Sequence, residues 1–140
     1  MRGRSLGLIL LIALAVVFVA GPACEDLPPV PNVPPVATFV YSPVSPIIAG
    51  QSAVVFNASG SSDSDGTITT YTWNFGDGSP EETRNTPTTT HVFPDTPAIC
   101  LEIVYTTLLT VTDDKGGKTA ASQTVRVTEL PAPGSSLCPR

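Results

Sequence analysis

The chain has 140 residues, enough for one domain with a sizeable hydrophobic core rather than two. Its 15 prolines, 11 glycines and low content of charged residues favour many short strands joined by turns over a helical bundle. Residues 24–140 carry 5 basic and 12 acidic side chains, a formal charge of 5 − 12 = −7, which disfavours binding to nucleic acid.

The first residues have the pattern of an export signal. Arg2 and Arg4 precede an apolar run over residues 6–20, and small residues follow it. The run is short for a helix that crosses about 30 Å of hydrocarbon, so an uncleaved membrane anchor is the alternative. The pattern predicts a signal peptide over residues 1–23 and export of everything that follows.

The end of this signal resembles the cleavage box of bacterial lipoproteins, in which a small residue precedes a cysteine that becomes lipid-modified. Ala23 and Cys24 fit that pattern, whereas Gly21 stands where Leu or Val is usual. The resemblance implies lipidation of Cys24 and a location on the outer face of a membrane. Ordinary cleavage after Ala23 would instead release a secreted protein.

Residues 24–35 are rich in proline, which fixes φ and disfavours helix in the preceding residue. They therefore predict a semi-rigid, extended spacer. At about 3.1 Å per residue, twelve such residues would hold a domain about 37 Å from the membrane.

Short strands separated by turns follow over residues 36–129, and residues 130–140 form a C-terminal tail. The third strand alternates, with Tyr71, Trp73 and Phe75 on one face and polar residues on the other. The two glycines of "DDKGGK" favour a tight hairpin between the last two strands. The predicted strands cover residues 36–42, 52–59, 67–75, 88–93, 104–113 and 119–129, a pattern typical of an all-β sandwich.

Three stretches in this region resemble the PKD (polycystic kidney disease) domain family. They are "FNASGSSDSDGTITTYTWNFGDGS" (residues 56–79), "HVF" (91–93) and "YTTLLTVTDDKGG" (105–117). The resemblance implies an immunoglobulin-like antiparallel β-sandwich of about seven strands. The chain departs from the family at Asn74, where Asp is usual, and in a longer segment over residues 94–104.

The stretch "WNFGDG" is the family's hallmark, and its residues predict a structural role. By alternation, Trp73 and Phe75 point into the core, where each would bury about 150–250 Å². Gly76 and Gly78 supply backbone freedom, while Asp77 can bond the N–H groups of its own turn. We interpret the motif as a corner after a buried strand.

Calcium binding is the functional alternative for these turns. Asp63, Asp65 and Asp77 would offer oxygen ligands if they met at one end of the sandwich, and some relatives in the broader PKD-like group bind calcium. The stretch from Asp63 to Gly66 begins like an EF-hand loop, but it has no glutamate at the twelfth position and no helical pattern beside it. The three aspartates are therefore weak candidates.

The sequence offers little for catalysis, and we predict a protein that is not an enzyme and needs no cofactor. His91 is the sole histidine, and no nucleophile elbow or paired zinc-ligand spacing is present. A small hydrolase would have to use His91 with Asp77 or Asp95.

The three cysteines suggest a disulfide. If Cys24 carries lipid, Cys100 and Cys138 remain as a pair. In the immunoglobulin-like arrangement that the resemblance implies, the penultimate strand starts where the last one ends, so a bridge would tie the tail to the long segment before residue 104. Alternatively, Cys138 is free or joins another chain.

Together these features predict an extracytoplasmic, non-catalytic interaction module at the cell surface. Its partners would be an extracellular protein or a polysaccharide, with the membrane reached through Cys24 and with no small-molecule substrate. The alternative is a structural or spacer subunit of a surface-layer or envelope assembly.

Overall fold

The computed structural model describes residues 28–44, 46–95 and 102–129. The chain divides into two units, and of the first, residues 1–30, only the exposed residues 28–30 are described. Residues 31–140 form the second unit, which contains all the strands given below. Within the described part of the chain, no helix is long and apolar enough to span a membrane.

In the described residues, seven strands form two antiparallel sheets, which confirms the predicted all-β, immunoglobulin-like sandwich. One sheet has the order β1-β2-β5 and the other the order β4-β3-β6-β7. The strands are β1 (Val40–Ser42), β2 (Ala53–Asn57), β3 (Ile68–Asn74), β4 (Glu82–Arg84), β5 (Thr88–Val92), β6 (Glu102–Asp113) and β7 (Lys118–Thr128).

The alternation of β3 decides which of its side chains enter the core. Trp73 is fully buried, and Phe75, just beyond the strand, is 3% exposed. Phe56 of β2 contacts both rings from the opposite sheet, at centroid distances of 5.7 and 5.2 Å. Since successive side chains of a strand point to opposite faces, Thr70, Thr72 and Asn74 lie on the outer face.

The longest pairing joins β6 and β7, whose register runs from Glu102 opposite Thr128 to Thr112 opposite Lys118. Their tight turn places Gly116 at a φ of 87°, in the left-handed region that glycine adopts without strain. The end of β7 also bonds to the other side of the sandwich, because Thr128 N donates to Ile47 O at 2.8 Å.

Two strands differ from the sequence expectations. β4 was not predicted, because Glu82–Arg84 is short, charged and without alternation. β1 is shorter than the predicted residues 36–42, since Val36 makes only an isolated bridge to Ser62. The predicted sites at Cys24, Cys100 and Cys138 lie outside the described residues.

Candidate functional site

Three aspartates meet where the turn before β3 approaches the turn after β6. Asp63, Asp113 and Asp114 each offer a carboxylate oxygen within 4.8 Å of the other two. We call these three residues the aspartate cluster. Sequence reasoning singled out only Asp63, because Asp113 and Asp114 lie 50 residues further along and come close only through pairing of β3 with β6.

Asp113 is the most buried member of the cluster, at 3% exposure. Its Oδ1 accepts hydrogen bonds from the backbone N–H groups of Lys115 (2.8 Å) and Gly117 (2.7 Å). Its Oδ2 accepts one from Asn32 Nδ2 at 2.8 Å. The bond from Asn32 contributes most to a pKa of Asp113 below its usual value, so this carboxylate is charged at neutral pH.

Two buried oxygens at this site accept no hydrogen bond among the described residues. They are Asn32 Oδ1 and Asp63 Oδ2. Gly66 packs so closely that an added Cβ would overlap the carboxylate of Asp114 and lie 3.1 Å from Asp63 Oδ2. Buried acceptor oxygens normally have a partner, so these two lack one that a bound ion could supply. Carboxylate and amide oxygens are the ligands that a hard cation prefers.

Asp65 lies beside the cluster and is held by a cation of the protein itself. Lys115 Nζ donates to Asp65 Oδ2 at 2.7 Å and to its backbone oxygen at 2.6 Å. The hydrogen bond from Lys115 is the main cause of a lowered pKa of Asp65, and the same bond raises the pKa of Lys115. Val33 N also donates to Asp65 at 3.3 Å, so the aspartates hold the chain at residues 32 and 33.

Asp77, the third calcium candidate, lies at the opposite end of the sandwich. The seven residues of β3 separate it from Asp65, a length of about 23 Å at roughly 3.3 Å per residue. Asp77 therefore does not meet Asp63 and Asp65, as calcium binding by these three candidates would require. The order of elements could have shown this, because turns that precede and follow the same strand lie at opposite ends of it.

Asp77 instead takes part in a hydrogen-bond network with Ser79 and His91. Its Oδ1 accepts from Ser79 N (3.0 Å) and Ser79 Oγ (2.5 Å), and its Oδ2 accepts from His91 Nε2 at 2.6 Å. Burial alone would raise the pKa of Asp77, but the bonds from Ser79 and His91 outweigh it and lower that pKa. The His91 ring stacks on Phe75 with centroids 3.8 Å apart, which fixes its orientation.

This network stabilises the turn and does not build a nucleophile. In a serine hydrolase the imidazole accepts the proton of the serine hydroxyl, and the carboxylate lies behind the imidazole. Here Asp77 lies between the other two, because the Ser79 hydroxyl donates to the carboxylate. The predicted hydrolase alternative therefore gains no support from the pairing of His91 with Asp77.

Aromatic side chains are directed to the core. Tyr71 and Trp73 of β3 are at most 9% exposed and belong to the hydrophobic core. Tyr41 and Tyr105 are partly buried and pack against that core. Every aromatic ring of the described residues is thus buried or partly buried. A stacking platform for sugar rings would need exposed ones.

A model of the PKD domain family matches residues 32–128. Among curated proteins, the pre-pro-metalloprotease PrtV of Vibrio cholerae is 36% identical over 96 residues, a match that covers 69% of this chain and 9% of the protease. The chain thus spans about a tenth of the length of this relative.

Solved structures show the same likeness. The crystal structure of the PKD1 domain of Vibrio cholerae PrtV has a TM-score of 0.51 and 34% identity, covering 68% of this chain and 98% of that one. The PKD1 domain of Vibrio anguillarum Epp has a TM-score of 0.55 and 29% identity, with 72% and 100% covered. A structure solved to explain the promiscuous specificity of carbohydrate-binding modules from the β-sandwich superfamily has a TM-score of 0.62 and 40% identity. The match covers 71% of this chain and 36% of that one.

Proposed function

We propose that this chain, which belongs to the PKD domain family, is a non-catalytic interaction module displayed on the outer side of a membrane. The observation that carries the proposal is the extent of the match. The chain covers 98% of a solved PKD1 domain but 9% of the protease that contains it. What the two proteins share is the module.

The proposed tether is lipid on Cys24, followed by the proline-rich spacer. Asn32 and Val33 bond to Asp113 and Asp65, so residues 32 and 33 belong to the domain and the proposed spacer is at most residues 24–31. Eight extended residues span about 25 Å at roughly 3.1 Å each. The domain would therefore stand closer to the membrane than the full spacer length allows.

The proposed partner is an extracellular protein. Protein contact is favoured over polysaccharide because the rings that could stack on sugars lie in or against the core. The match to the structure of the carbohydrate-binding modules covers only 36% of that chain, so we propose polysaccharide as the alternative partner. A structural or spacer subunit of an envelope assembly is the alternative role.

The tether is tested by expressing the full chain and two variants, Cys24→Ser and Cys100→Ser, in a bacterial host that lipidates exported proteins. The proposal expects the wild type and Cys100→Ser in the membrane fraction, with an intact mass for a chain that begins at Cys24 and carries acyl groups. Cys24→Ser should appear in the soluble exported fraction. An unacylated wild type in the soluble fraction would refute the anchor.

We propose cation binding at the aspartate cluster as a second function. Its support is the pair of buried, unpartnered oxygens, Asn32 Oδ1 and Asp63 Oδ2, beside three mutually close carboxylates. Asp65 is engaged by Lys115, and Asp77 lies at the other end of the fold, so neither belongs to this site. Calcium suits it because the candidate ligands are all carboxylate and amide oxygen atoms.

The cation proposal is tested by thermal unfolding in millimolar calcium against chelator. A ligand at ten times its Kd adds about 1.4 kcal/mol, which raises Tm by several degrees in a domain of this size. Asp63→Asn should abolish the rise, whereas Asp95→Asn, an exposed aspartate outside the cluster, should preserve it. An unchanged Tm in the wild type, or an equal rise in Asp63→Asn, would refute the site.

A further inference from the structure

Two exposed valines lie beside the turn that carries Asp63 of the aspartate cluster. Val33 N donates to Asp65 at 3.3 Å, and Val36 pairs with Ser62 through two backbone hydrogen bonds of 2.7 and 3.0 Å. These contacts use only backbone atoms of the valines, whose residues stay 50% and 62% exposed. Since Ser62 and Asp65 belong to the same turn as Asp63, apolar side chains are held next to the cluster.

The chain enters the domain at this same end. Asn32, which donates to Asp113, and Val33 follow directly on the proposed spacer, residues 24–31. Those eight residues span about 25 Å when extended. An acyl group on residue 24 would therefore keep the aspartate cluster near the lipid headgroups, whereas the turn with Asp77 lies at the far end of the sandwich.

The charge of this end changes when a cation binds. The two turns that meet here, residues 62–66 and 113–117, carry four aspartates and one lysine, a formal charge of 1 − 4 = −3. An anionic lipid surface repels such an end. A divalent cation in the cluster lowers the negative charge and offers a positive centre to an anionic group from outside.

The cluster leaves part of a calcium coordination shell open. Its three carboxylates offer one oxygen each, and Asn32 Oδ1 adds a fourth. Calcium takes roughly six to eight oxygen ligands, so positions remain for oxygens that the cluster does not supply. Asp114 is exposed, so these positions are open to a ligand from solvent or from a membrane.

We propose that the aspartate cluster, with Val33 and Val36 beside it, makes a calcium-dependent contact with the phosphate groups of membrane lipids. This rests on the cation binding proposed above and deepens it by naming the partner. The bound calcium joins the cluster to a lipid phosphate, a hard oxygen ligand, and the two valine side chains enter the headgroup layer. The contact orients the anchored domain on the membrane.

The test is flotation of the protein with vesicles of phosphatidylcholine and phosphatidylglycerol, in millimolar calcium and in chelator. It uses residues 24–140 with Cys24→Ser, so that neither the signal nor an acyl group holds the protein on lipid. The proposal expects flotation in calcium and none in chelator. Asp63→Asn, which removes a ligand of the cation, should stay in solution under both conditions.

A variant with Val33→Ser and Val36→Ser separates the membrane contact from cation binding, because it removes apolar surface and leaves every carboxylate in place. It should weaken vesicle binding about tenfold. It should also keep the rise in Tm that calcium produces. The matched control carries Val40→Ser and Val92→Ser, which alter valines that are 65% and 44% exposed on the three-stranded sheet, and it should float like the unaltered protein.

The outcomes distinguish the contact from the cation site beneath it. A Tm that rises in calcium for a protein that never floats would overturn the membrane contact and leave the cation site standing. Equal flotation in calcium and in chelator, or equal weakening by the two pairs of valine changes, would also overturn it. An unchanged Tm in calcium would refute the cation site, and this contact with it.

Discussion

His91 Nε2 and Asp77 Oδ2 lie 2.6 Å apart and join the two sheets of the sandwich at one end. His91 belongs to β5 of the three-stranded sheet, and Asp77 follows β3 of the other. The Asp77 side chain is fully buried and that of His91 is 15% exposed, so the pair is largely shielded from water. This shielding makes the contact stronger than a surface ion pair.

Asp77→Asn is therefore expected to lower the free energy of unfolding by about 1.5–3 kcal/mol at neutral pH, the usual contribution of hydrogen bonds to a charged group. Urea denaturation followed by the fluorescence of Trp73, the sole tryptophan, measures it. Asp95→Asn is the control, because Asp95 is exposed. Equal stability of the two variants would contradict the role of the pair.

The pH dependence of this effect has a defined sign. The pKa of Asp77 in the folded state lies below its ordinary value of 3.8, so the charged carboxylate stabilises the fold above that pH. This contribution is lost as the pH falls through the folded-state pKa. The stability difference between wild type and Asp77→Asn should therefore shrink below about pH 3.8, and a difference that persists at lower pH would show another cause.

The two glycines of the "GDG" turn are expected to respond differently to alanine. Both have positive φ, 78° at Gly76 and 86° at Gly78, which costs a non-glycine residue about 1–2 kcal/mol. At Gly76 an added Cβ would also overlap the backbone oxygen of Thr106, whereas nothing lies within 4 Å at Gly78.

Gly76→Ala should therefore destabilise the fold by about 1–3 kcal/mol more than Gly78→Ala, the usual cost of overpacking. Thermal and urea unfolding of the two variants measure the difference. If the two changes are equally costly, the close approach to Thr106 does not matter for stability.

Adjacent positions of β2 give a further prediction. Phe56 is fully buried and its ring lies within 6.5 Å of five other aromatic rings, while Val55 is 46% exposed. Phe56→Ala should cost about 3–5 kcal/mol through the cavity it leaves. Val55→Ala should change stability by no more than about 0.5 kcal/mol. Similar costs at both positions would contradict the alternation of β2.

Local signals predict the elements that alternate or turn sharply. The spacing of Tyr71, Trp73 and Phe75 predicts the buried face of β3, and the glycines after Asp114 predict the hairpin of β6 and β7. Local signals do not predict β4, because three residues at the edge of a sheet are too few to show periodicity. Its position depends on pairing with β3, which places Trp73 opposite Glu82.

The aspartate cluster shows where local signals end. Asp63 and Asp77 look equivalent in the sequence, since each belongs to a turn rich in Asp, Ser and Gly, yet β3 holds them at opposite ends of the sandwich. Asn32 carries no motif, and its bond to Asp113 joins residues that are 81 positions apart.

By itself, the sequence determined the all-β class, the family and the burial of the central aromatic strand, because alternation and turn chemistry act between neighbouring residues. The tertiary structure alone decided which aspartates meet, which aspartate pairs with His91, and where the short strand β4 joins the sheet. Those contacts join residues far apart in the chain, and their geometry is set by the register of the strands between them.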